Sequence, residues 1–164
     1  MRTTTTLLPL FLRRAGLICA LAGVQLAGGT AHAQSQPPTT LLVVVSNKTP
    51  TPVMSNKDVA DLYLGRTRHL SNGQLVIALD NPATAPVRAR FYKALTGKAI
   101  TDINAYWARL LFTGQSSPPQ PMADTGSLLE AVRTTPGAIG YVEQSQVANL
   151  EAMGLKVVLS IAAP

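Results

Sequence analysis

From residue 41 onward, short apolar runs alternate with segments whose apolar residues recur every three or four positions, divided by stretches rich in Gly, Pro, Asn and Thr. Residues 41–45 (LLVVV) form an unbroken, β-branched run of strand length, the pattern of a strand buried on both faces. After a loop at 47–52 (NKTPTP), Ser55 followed three positions later by Asp58 is a capping-box start for a helix. That helix carries Val59, Leu62 and Tyr63 on one side and ends at Gly65. A polar turn, 66–73 (RTRHLSNG), closes on Asn72-Gly73 and leads into a second apolar strand at 74–79 (QLVIAL).

Residues 80–85 (DNPATA) join this strand to a helix in which Val87, Phe91 and Leu95 recur at four-residue spacing, with Pro86 in its first turn and Gly97 past its end. Thr101 or Asp102 starts a further helix whose Ile103, Trp107, Leu110 and Leu111 share a face, and Gly114 stops it. A Pro-rich loop spans 115–121. Thr125 or Ser127 caps a short helix carrying Leu128, Leu129 and Val132, and Pro136-Gly137 turns the chain into a third strand at 138–142 (AIGYV). A weak helix around 146–150 precedes a last apolar strand at 155–161. Strands and helices in alternation, with two helices in succession midway, predict an α/β layer architecture.

The first 33 residues follow a different pattern. Arg2, Arg13 and Arg14 make a basic opening, residues 15–27 are uncharged and apolar, and Ala31-His32-Ala33 has the small-x-small form of a signal-peptidase site. We expect 1–33 to be a signal peptide cleaved before Gln34, 34–40 (QSQPPTT) to be a disordered lead-in, and 41–164 to be one domain. The apolar run is too short for a stable membrane span of ~20 residues. Cleavage removes three of the 14 basic residues and none of the 8 acids, so the formal net charge falls from +6 to +3. The remaining cations form no stripe, which argues against a nucleic-acid partner. Cys19, the only cysteine, leaves with the signal peptide, so disulfides, zinc-thiolate sites and cysteine nucleophiles are excluded.

Catalytic residues are not apparent. His69 sits in the polar turn beside Arg66 and Arg68, without a nucleophile elbow, and reads as a solvated histidine. No metal-ligand spacing and no phosphate loop of the GxxxxGK[ST] type occurs, so no metal and no cofactor is expected. Asp58 and Asp61 lie three apart on one helix, but a helix start accounts for Asp58. Trp107 reads as core, and Tyr106 points elsewhere on the helix. The one site with a physical argument lies between Asp80 and Arg88, because ligands gather at the carboxyl ends of strands and a helix N-terminus offers N–H groups to an anion. There the Thr84 hydroxyl, the amides near Ala85 and the Arg88 guanidinium would meet a tetrahedral oxyanion. From residue types alone, an ordinary N-cap threonine and a solvated arginine account for the same residues better than an anion site does, because Pro86 removes one amide.

Four phrases together resemble a known family. They are Val59-Ala60-Asp61-Leu62-Tyr63-Leu64-Gly65 with Asn72-Gly73, then Val87-Arg88-Ala89-Arg90-Phe91-Tyr92, then Tyr106-Trp107 with Leu111-Phe112-Thr113-Gly114, and finally Thr135-Pro136-Gly137-Ala138-Ile139-Gly140-Tyr141-Val142. The sequence resembles the phosphate-binding periplasmic proteins of ABC transporters, and more closely their short, single-lobe relatives. The resemblance implies a periplasmic-binding-protein-like (type 2) α/β lobe with a central mixed sheet of about four strands and four to five flanking helices. It also implies a non-enzymatic, periplasmic solute-binding role with phosphate or a similar oxyanion as ligand, and an ABC transporter permease or another periplasmic protein as partner. Where the family carries a Gly-Ser-Gly-Thr-type loop, this chain reads Pro82-Ala83-Thr84-Ala85-Pro86, in which only Thr84 keeps a hydroxyl. A protein–protein interaction domain that kept the fold and lost the solute site is the other functional expectation.

Overall fold

The apolar run that opens the fold lies in the interior of its sheet. In the computed structural model, which describes residues 39–70 and 72–163, β1 (Thr39–Ser46) is flanked on both sides by antiparallel partners. One is β4 (Ala138–Glu143) and the other is β5 (Leu155–Ala163). β2 (Ile77–Asp80) runs parallel to β4 and to a two-residue edge strand, β3 (Gln120–Pro121), giving a mixed sheet ordered β3-β2-β4-β1-β5. Because side chains alternate along a strand, β1 feeds two cores. Leu41, Val43 and Val45 pack on one face and Leu42 and Val44 on the other. Each such buried aliphatic contributes about 1.5–3 kcal/mol of transfer free energy.

Three helices cover the first face: α1 (Asn56–Tyr63), α2 (Pro86–Thr96) and α3 (Ile100–Phe112). α4 (Thr125–Thr134) covers the second with Leu128, Leu129 and Val132. Its approach is close enough that a Cβ on Gly140 would stand 2.9 Å from the Val132 Cγ2, so only glycine lets α4 seat on β4. The start of α1 is the expected capping box, with the Ser55 hydroxyl accepting from the Asp58 amide and the Asp58 carboxylate accepting from the Ser55 amide at 3.0 Å.

Several boundaries differ from the expectations. The strand expected over 74–79 begins only at Ile77, because the Val76 amide donates to the Arg68 carbonyl and Leu75 bridges His69, tying 74–76 to the polar turn instead of to the sheet. Part of the Pro-rich loop is β3, making five strands; Pro121 has no N–H to give and suits an edge. Asp124, not Thr125 or Ser127, caps α4, its carboxylate accepting from the Ser127 amide at 2.7 Å. α3 starts at Ile100, and of its expected apolar face Ile103 and Trp107 are buried and Leu110 half-buried, while Leu111 is 54% exposed. In place of the helix around 146–150 there is a 3₁₀ turn at Gln144–Gln146. Thr39 and Thr40, expected in the lead-in, are the first residues of β1 and pair with Ala163 and Ala162. The expected signal peptide and residues 34–38 lie outside the described residues.

Candidate functional site

β2 ends in Asp80, and this residue and Asn81 directly after it are almost wholly enclosed, at 3% and 0% exposure. Burial of a carboxylate is costly unless donors surround it, and three do. Arg88 Nε donates to Asp80 Oδ2 at 2.8 Å, the Tyr92 hydroxyl donates to the same oxygen at 3.1 Å, and the Tyr141 hydroxyl donates to Oδ1. α2 supplies two of these donors because residues four apart lie on one helix face, and β4 supplies the third. Asn81 Nδ2 donates to the Tyr141 carbonyl at 3.0 Å, and its Oδ1 accepts from the Thr125 hydroxyl at 3.0 Å. The strand end is thereby tied to α2, β4 and the first turn of α4.

An aromatic cluster forms the apolar wall of this site. Phe91 and Tyr141 stack with ring centroids 3.7 Å apart, and Tyr63 meets Phe91 edge-on at 4.8 Å. The Tyr63 hydroxyl donates to the Leu79 carbonyl at 3.0 Å. Burial, reinforced by the Asp80 charge, holds the hydroxyls of Tyr92 and Tyr141 well above the usual phenol range, so both remain donors. For Arg88, burial opposes the charged form, but the hydrogen bond and charge of Asp80 more than offset it and hold the guanidinium above its ordinary value. Arg88 and Asp80 are a nearly sealed ion pair, with side chains 10% and 4% exposed.

Of the sequence-predicted anion ligands, Thr84 is exposed in the turn before α2. Ala85 is the N-cap residue, but its amide donates to the Pro82 carbonyl at 2.9 Å and is not free for a ligand, a correction that follows from the turn the two prolines impose. Arg88 is not a solvated arginine. Besides Asp80 it reaches α3, where Nη1 donates to Asn104 Oδ1 at 3.1 Å, and the described residues give Nη2 no partner. α2 begins with no side-chain cap and no acid in its first turn, and the amides of Ala83, Thr84 and Val87 find no acceptor among the described residues. Its N-terminus is therefore positively polarised and uncompensated.

The remaining residues singled out by sequence are accounted for by structure. His69 is exposed. Asp58 completes the capping box of α1 with the N-cap Ser55, and Asp61 pairs with Lys57 and Arg66. The Tyr106 hydroxyl donates to the Leu64 carbonyl at 2.7 Å. Sequence reasoning took Asp80 only as the edge of the site, and it missed Asn81, Asn104, Thr125 and Tyr141 as members of it. An Asp-Asn pair closing an apolar strand was a usable signal for Asp80 and Asn81, because charge at a buried strand end requires partners. Asn104, Thr125 and Tyr141 are joined to the site by packing that has no local signature. Among the described residues no group of three or more His, Cys, Asp or Glu could hold a metal ion, and no helix is long and apolar enough to cross a membrane.

No family model and no curated protein matches the sequence. Solved structures do match the fold. A protein from Clostridium perfringens described as a phosphate ABC transporter substrate-binding protein, with phosphate bound, aligns at TM-score 0.56 and 14% identity over 74% of this chain and 44% of that one. An ABC-type phosphate transport receptor from Vibrio cholerae aligns at TM-score 0.56 and 12% identity over 77% and 55%. PstS from Borrelia burgdorferi aligns at TM-score 0.56 and 12% identity over 74% and 47%. The chain thus spans about half the length of these proteins, and at such identity the likeness is one of fold. The expected α/β single lobe of the periplasmic-binding-protein type is the fold observed, with a five-stranded mixed sheet and four helices among the described residues.

Proposed function

We propose that this chain is a non-enzymatic solute-binding module that takes phosphate or a similar oxyanion at the start of α2. The observation that carries the proposal is the uncapped N-terminus of α2, where the amides of Ala83, Thr84 and Val87 lack acceptors beside the exposed Thr84 hydroxyl and the first-turn Arg88. A tetrahedral anion satisfies such groups and the positive end of the helix together. Phosphate in the Clostridium perfringens neighbour supports the choice of ligand. Because Asp80 already neutralises Arg88, the attraction rests on amides, one hydroxyl and the helix dipole, and the affinity is modest. The basic start, apolar run and Ala31-His32-Ala33 support cleavage before Gln34 and a periplasmic location. In that compartment an ABC transporter permease or another periplasmic protein is the partner.

Titration calorimetry with phosphate, sulfate and molybdate tests this reading, using the Thr84→Asp variant as control. A carboxylate at that exposed position competes for the same N–H groups and favours the helix by about 0.3–1 kcal/mol, so the variant stays folded while anion binding is abolished. Equal binding by the variant would move the site elsewhere. A second reading has one observation in its favour: Arg88 spends Nε on Asp80 and Nη1 on Asn104 within the protein. On that reading the polar network only fastens β2 to its helices, and the domain is a protein-interaction module without a solute.

A further inference from the structure

α3 carries a second surface that the oxyanion reading does not use. Between α3 and the end of α1 runs a groove of about 540 Å³ whose floor includes Leu64, Ile103 and Tyr106 and whose rim includes Arg66, Lys98, Asp102 and Arg109. Tyr106 is fixed by its hydrogen bond to the Leu64 carbonyl, and the Arg109 guanidinium lies 5.9 Å from the centre of its ring. Arg66 is neutralised by Asp61, but Lys98 and Arg109 have no ion-pair partner among the described residues, and the single rim carboxylate, Asp102, leaves the groove net positive. Seven residues beyond Ala105 and three beyond Arg109, on the same helical face, Phe112 projects at 94% exposure with Leu111 beside it at 54%. A charged groove running on to a bare aromatic is not a surface that folding requires.

We infer that the outward face of α3 docks an acidic polypeptide segment that carries apolar side chains. The two partnerless cations fix the sign of the occupant, and Phe112 requires an apolar contact that a small anion does not offer. A bilayer presents a broad surface and does not reach the half-buried Tyr106 at the floor, whereas an extended chain does. From Asp102 to Phe112 the helix rises about 15 Å, which an extended segment of about five residues covers. Tyr106 is already held in place, so docking orders little that is not ordered beforehand.

The test is fluorescence anisotropy of a fluorescein-labelled peptide of alternating Glu and Leu, with a Lys–Leu peptide as control, at low ionic strength. Wild-type protein should bind the Glu–Leu peptide saturably and the control not at all. Lys98→Glu combined with Arg109→Glu should weaken binding by at least about tenfold, since rim attraction becomes repulsion, and Phe112→Ser should weaken it several-fold. All three side chains are exposed, so the variants remain folded. Thr84→Asp should leave peptide binding unchanged, which separates this surface from the anion site. Absence of binding, equal affinities for wild type and both variants, or association with phosphatidylglycerol vesicles but not with the peptide would each overturn the inference.

Discussion

Asp80→Asn removes the one charge that balances a buried Arg88 and keeps the volume of the side chain. In the variant, Arg88 stays protonated, because no pH at which the protein folds discharges a guanidinium. Its Nε then faces a neutral amide in a site where the side chains are 10% and 4% exposed. The hydroxyls of Tyr92 and Tyr141 also lose an ionised acceptor. Breaking a buried pair by removing one partner costs about 3–5 kcal/mol, out of the ~5–15 kcal/mol that holds a domain together. With a urea dependence of about 1–3 kcal/mol/M, the midpoint should fall by at least about 1 M. Circular dichroism in urea measures it. Asp80→Asn combined with Arg88→Met should recover part of the loss, because an apolar side chain then fills the space of an unpaired charge. A loss below about 1 kcal/mol, or no recovery in the double variant, would mean that water reaches the carboxylate and that the site is not a sealed ion pair.

Three further outcomes are expected. Trp107→Ala should cost roughly 3–5 kcal/mol in the same assay, and Trp107→Phe much less, since a phenyl ring keeps most of the buried apolar volume; a loss below about 1 kcal/mol for the alanine would contradict the packing of α3. The carboxyls of Asp58 and Asp124 are held below their ordinary value of 3.8, the first by the hydroxyl and amide of Ser55, the second chiefly by the amide of Ser127. Their stabilisation is complete above the unfolded value and lost as pH falls through the lower folded values, so stability should drop below about pH 4; Asp124→Asn, which still caps but does not titrate, should flatten that drop, and an unaltered acid profile would place the sensitivity elsewhere. Mass spectrometry of exported protein should find Gln34 at the N-terminus, and retention of Met1 would refute cleavage.

Elements whose signal is local were legible in the sequence. The β-branched run at 41–45 could only be interior, and Ser55 with Asp58 fixed the start of α1 through bonds made within four residues. Pro86 and Gly97 bracketed α2 for the same reason. What failed was decided by distant partners. Residues 74–76 have a strand's composition, but the turn at Arg68–His69 claims their hydrogen bonds before β4 can. Leu111 fits the apolar period of α3, yet the body of the domain ends under Trp107 and Leu110. Arg88 is the instructive case. Its position in the first turn suggested a ligand fork, whereas the carboxylate that holds it lies eight residues back and the amide that holds it sixteen residues on. A sequence reading shows that an arginine stands at a strand end but not which of its nitrogens are already spent.

Calorimetric titration of the purified protein with phosphate, in wild type and Thr84→Asp, tests the central claim most directly. The account predicts saturable, one-site heat for the wild type, weakened by salt as befits an exposed site within a Debye length of about 10 Å at 0.1 M, and no heat for the variant. No saturable heat for the wild type at millimolar phosphate would contradict it and leave the strand-end network as a structural fastening alone.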